Sequence, residues 1–150
     1  MKGATILHSI ARASRRDLVQ FAEAACALTV AWAAIKLLPF RTLMRTTHFG
    51  RAPAERSAVE LCAVGLQVRR AVKRAARRLP WTIVCFPEAL AAHWMLRRRG
   101  APSQVHYGLR TSVEKLSAHV WVTLAGEIVV GEERDDAHIC VAIFPQVSSA

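Results

Sequence analysis

Acidic residues are scarce in this sequence: 11 Asp and Glu stand against 21 Lys and Arg in 150 residues, a formal charge of +10. Cys-x-x-Cys pairs are missing altogether, since Cys26, Cys62, Cys85 and Cys140 lie far apart. That excludes a zinc ribbon and a dense disulfide framework. A secretory signal is also missing, because Gly3, His8 and Arg12 interrupt the apolar residues of 1–14. The expected location is cytoplasmic, where thiols stay reduced. There is no long uncharged run either: Glu23 and Lys36 bound twelve residues, against the ~20 that a spanning helix needs, so no membrane span is expected. The 53% hydrophobic and 21% charged composition excludes a disordered tail. Two large domains do not fit the length, and a single domain over 1–150 is expected.

Helical signals fill the first half. Ser14 stands three residues before Asp17, a capping-box arrangement, and Leu18, Phe21, Ala25, Leu28, Trp32 and Ile35 recur at helical spacing until Pro39. Phe40–Gly50 reads as a connector. A second helix is expected from Pro53, with Glu55 in its first turn, to the residue before Pro80, with Val59, Cys62, Leu66, Val72 and Ala76 as its apolar stripe. The third helix begins at or beside Cys85. Pro87 and Glu88 suit its first turn, Arg97, Arg98 and Arg99 its last, Gly100 a left-handed cap, and Pro102 follows.

After Pro102 the period becomes alternating. Val105–Arg110, Ala118–Leu124, Glu127–Gly131 and Ile139–Phe144 read as strands, and Ala125-Gly126 as the tight turn of a hairpin. Helices first and strands last predict an α+β fold, with N-terminal helices and a Cys-bearing helix packed on a C-terminal antiparallel sheet. The helical part is 1–79 and the catalytic core 80–150.

The chemistry centres on Cys85. A helix N-terminus favours thiolate, and its free N–H groups can hold the oxyanion formed when a carbonyl is attacked. His119, on a strand, is the candidate base. With a two-residue turn at Ala125-Gly126 and an unbroken ladder, His119 faces Glu132 on the same side of the sheet, which makes Glu132 the candidate orienting acid. A one-residue bulge hands that role to Glu133, and a longer excursion to Asp135.

Other uses of these residues are weaker. His138-x-Cys140 offers two metal ligand types without a third and fourth, so neither a metal nor a cofactor is expected. Cys26 and Cys62 read as core, and His8, His48, His93 and His106 have no nameable partners. The basic face of Arg69, Arg70, Lys73, Arg74, Arg77 and Arg78 suits solvent or an acidic partner, and it lacks the interleaved aromatics of a nucleic-acid surface. The competing reading of the chain is a non-catalytic module whose basic helix binds an acidic protein, lipid or nucleic acid.

Three blocks resemble a known family: Pro80-Trp81-Thr82-Ile83-Val84-Cys85-Phe86-Pro87-Glu88-Ala89-Leu90-Ala91, then Leu96-Arg97-Arg98-Arg99-Gly100, then Ala118-His119-Val120-Trp121-Val122 up to Gly126. They look like the lasso-peptide leader peptidases, transglutaminase-like cysteine proteases in their standalone form. Arg16-Asp17-Leu18 and Leu38-Pro39-Phe40 extend the resemblance toward the N-terminus. It implies a transglutaminase-like, papain-like core, with Cys85 as nucleophile and His119 as general base. The family's third member is usually an Asp shortly after the hairpin, where this chain has Glu132 and Glu133. The implied reaction frees a core peptide from its leader through a thioester. The implied partners are the precursor peptide, a separate leader-recognition protein and the lasso cyclase.

Overall fold

The computed structural model describes residues 14–111, 116–131 and 138–145. Four helices pack on one antiparallel sheet, as expected for an α+β chain. They are α1 (Arg15–Leu37), α2 (Phe40–Arg45), α3 (Ala58–Ala76) and α4 (Cys85–Arg98), with a short 3-10 turn at Thr46–His48. Strands β1 (Ser103–Thr111), β2 (Leu116–Leu124), β3 (Glu127–Val130) and β4 (Ile139–Phe144) lie in the order β3-β2-β1-β4.

Helix α1 starts where the capping pattern places it, with the Ser14 N–H donating to the Asp17 carboxylate at 3.2 Å. Its buried positions are Ala24, Leu28 and Ala31, the two alanines letting it lie close to α3 and α4 while Leu28 fills the core between them. Cys26 is exposed rather than buried, because the contact face runs through those small residues instead. Glu23 accepts from Arg99 at 2.6 and 2.9 Å, which ties α1 to the end of α4. By length and composition alone α1 is apolar enough to cross a membrane, and 17% of its most apolar stretch is buried.

The second helix begins later than expected. Ser57, not Pro53, is the N-cap: its hydroxyl accepts from the Glu60 N–H, and the Glu60 carboxylate accepts from the Ser57 N–H at 2.8 Å. The buried face runs through Gly65, Val68, Ala71, Val72 and Ala75, so Val59, Cys62 and Leu66 of the expected stripe are exposed. Gly65 meets the hairpin directly. A Cβ there would touch Leu124 and Val129 at 3.5 and 3.6 Å.

Between the helices and the sheet lies one core, including Leu28, Leu43, Val68, Leu90, Met95, Leu96, Val105 and Val122. Each fully buried aliphatic side chain of this kind contributes about 1.5–3 kcal/mol. His93 sits inside it: its Nε2–H donates to the Thr47 carbonyl and its Nδ1 accepts from the Ser103 hydroxyl, both at 2.9 Å. Burial pushes its pKa down to about 4. His93 therefore has definite partners, which its isolation in the sequence did not suggest.

Candidate active site

Cys85 is the first residue of α4 and is half-buried. Aromatic packing on both sides of it fixes the position of this helix start. Trp81 lies against Trp32 with ring centroids 5.6 Å apart, while Phe86 joins Phe40 and Tyr107 at 6.2 and 6.4 Å. Such pairs add about 0.5–1.5 kcal/mol each beyond their buried area. In the first turn, Pro87 has no N–H and that of Glu88 returns to the Val84 carbonyl at 3.3 Å. Among the described residues the Cys85 and Phe86 amides have no hydrogen-bond partner, the arrangement an oxyanion would need.

The first turn is also tied to the basic helix. Lys73 Nζ lies 2.8 Å from Glu88 Oε1, both side chains largely buried. Arg74 and Arg78 lie over the Phe21 ring at 5.8 and 5.7 Å. Part of the basic run is therefore structural, although Arg69, Arg70, Lys73, Arg74, Arg77 and Arg78 still line a cleft of about 280 Å³.

His119 sits in the middle of β2, half-buried. The hairpin turn is at Ala125-Gly126 as expected, with φ of +52° and +87°. Leu124 pairs with Glu127 and Thr123 with Ile128, but Val122 pairs with Val130. Val129 is thus a one-residue bulge, and the unbroken ladder that set His119 against Glu132 ends there. Glu132, Glu133 and Asp135 lie outside the described residues. Among the described residues, His119 Nε2–H donates to the Gly131 carbonyl at 3.1 Å.

Directly paired residues share a face of the sheet. Tyr107 with Val120 and Val105 with Val122 face the helices and join the core. His106 with Trp121, and Gly108 with His119, therefore face the other way. There the Trp121 ring is stacked between His106 (centroids 5.4 Å apart, 10° between planes) and His119 (6.2 Å, 19°), and His138 lies 5.5 Å from His119. His106 Nε2 and the Thr123 hydroxyl are hydrogen-bonded at 2.8 Å, and Cys140 Sγ is 3.8 Å from His106 Nδ1. Among the described residues no hydrogen bond joins Cys85 to His119. The thiol lies at the start of the helix packed on one face of the sheet, and the ring leaves from the opposite face.

A family model for the transglutaminase-like superfamily matches residues 21–142, a span that includes Cys85, His119, most of α1 and the whole of α2, α3 and α4. Searches of curated proteins and of solved structures returned no match. With most of its length covered, and with the α+β architecture described above, the chain belongs to the transglutaminase-like superfamily.

Proposed function

We propose that this protein is a cysteine endopeptidase that removes the leader from a lasso precursor peptide. The observation that supports it most is the placement of Cys85 at the N-terminus of α4 with two unspent amides beside it, in a chain of a superfamily that includes cysteine proteases.

In this reading Cys85 Sγ attacks the scissile carbonyl and His119 Nδ1 takes its proton. The Cys85 and Phe86 N–H groups stabilise the oxyanion. The C–N bond breaks as His119 returns the proton to the leaving amine, and a thioester remains. Water attacks the thioester, gives a proton to His119, and releases the acid product with the thiol restored. Ring and thiol start from opposite faces of the sheet, so this reading requires them to come together in the peptide-bound enzyme, as catalytic contacts often form fully only in that complex.

The basic cleft on α3 suits an acidic stretch of the precursor or of the separate leader-recognition protein. Tethering by that protein raises the local precursor concentration. The freed core passes to a lasso cyclase in the cytoplasm. Mass spectrometry of precursor incubated with the protein, with and without the recognition partner, tests this. One cut at the leader–core junction, faster with the partner, is the expected result. An intact precursor in both reactions contradicts it.

A further inference from the structure

We infer that the outward face of α1 docks the protein on an anionic lipid surface, with the helix lying flat along it. The inference is independent of the peptidase reading. Opposite the buried Ala24, Leu28 and Ala31, the residues Val19, Ala22, Cys26, Val30, Ala33 and Leu37 recur at three- and four-residue spacing along one line. Among them Val19, Val30 and Leu37 are 67%, 57% and 80% exposed. The apolar face widens where α1 passes α4. Val30, Leu38, Phe49 and Trp94 line a groove there of about 800 Å³, and Phe49 is 73% exposed. Contiguous apolar surface of this extent marks a place where something binds.

Charge decides what binds. Arg15 continues the line one turn before Val19, Lys36 adjoins Leu37, and Arg51 and Arg98 line the groove, all four exposed. Glu23 is the one acid among the described residues lining this groove and a second one along α1, and Arg99 at 2.6 Å and Arg98 at 3.6 Å neutralise it. The face is thus apolar along its middle and positive at its ends and side. A second copy of the chain would set +10 against +10. An anionic bilayer supplies both complements, an acyl boundary for the apolar line and phosphates for the cations, and it needs no matching shape. Val19 to Leu37 covers about 27 Å of helix, enough for several headgroups side by side. The opposite side of α1 stays in the core, so the docking is peripheral and leaves the fold as it is.

The test is sedimentation of the full-length protein with vesicles of phosphatidylcholine alone and of phosphatidylcholine mixed equally with phosphatidylglycerol. The protein should bind the mixed vesicles at least about tenfold more tightly than the neutral ones, and added salt should weaken that binding. Leu37→Ser and Phe49→Ser alter exposed side chains and leave the fold intact. Each should lower partitioning about tenfold, and Arg51→Ala about fivefold. Arg70→Ala and Arg77→Ala, in the α3 cleft, should lower it less than any of these. The reverse ranking would make the attraction a general one for the α3 cations and overturns the inference. A protein that stays in solution with both vesicles overturns it too, as does a wild-type dimer that Leu37→Ser returns to monomer without any vesicle binding.

Discussion

Lys73 and Glu88 form a 2.8 Å ion pair that joins the basic face of α3 to the first turn of the Cys85 helix. The side chains are 20% and 14% exposed, so each ion depends on the other to offset its lost hydration. Lys73→Ala and Glu88→Ala should each lower unfolding free energy by about 2 kcal/mol, and the double variant should lose less than their sum. Arg77→Ala, on an exposed residue of the same run, should stay within about 0.5 kcal/mol. Urea titration of the wild type and the four variants checks this. Strict additivity of the Lys73 and Glu88 effects would remove the pair from the account.

Gly108 lies beneath the Trp121 ring. A Cβ there would be 2.6 Å from the ring carbon Cζ3. Gly108→Ala should therefore push the ring out of its stack and cost about 1–3 kcal/mol, as overpacking does. Gly126→Ala has no such obstacle, since nothing lies within 4 Å, and its cost comes from φ of +87° alone. The melting temperatures of both, with near-ultraviolet circular dichroism as a report on Trp121, separate the two causes.

His93 gives stability a pH dependence. Its folded pKa is depressed to about 4 from an ordinary 6.5, by burial first. The unfolded chain therefore binds more protons between these values, and stability falls as pH drops from about 6.5 toward 4. Above 6.5 the contribution of this residue is constant. The stability difference between pH 7 and pH 4.5 should amount to a few kcal/mol in the wild type, and it should shrink in His93→Gln. An equal slope in both proteins would assign the acid sensitivity elsewhere.

Elements were legible in the sequence wherever period and punctuation agreed. Ser14 with Asp17, Pro87 with Gly100, and the Ala125-Gly126 turn each lie where local chemistry puts them. The start of α3 was misplaced because Pro53 is a competing signal, although Ser57 and Glu60 form the stronger capping box. Of the expected stripe, Val72 and Ala76 do meet the core, while Val59, Cys62 and Leu66 are exposed. The hydrogen bond from His119 to the Gly131 carbonyl was not legible in the sequence. It depends on a bulge at Val129 and on the close approach of Gly131 to Trp121, which are properties of packing between strands.

The most direct measurement of the central claim is cleavage of the precursor peptide by the wild-type protein and by Cys85→Ala, with a leader-recognition protein present and products read by mass spectrometry. The account predicts one cut in the wild type, none in a folded Cys85→Ala, and His119→Ala and the double variant equally inactive, because the two groups act as a unit. Undiminished cleavage by a clean Cys85→Ala preparation would contradict it.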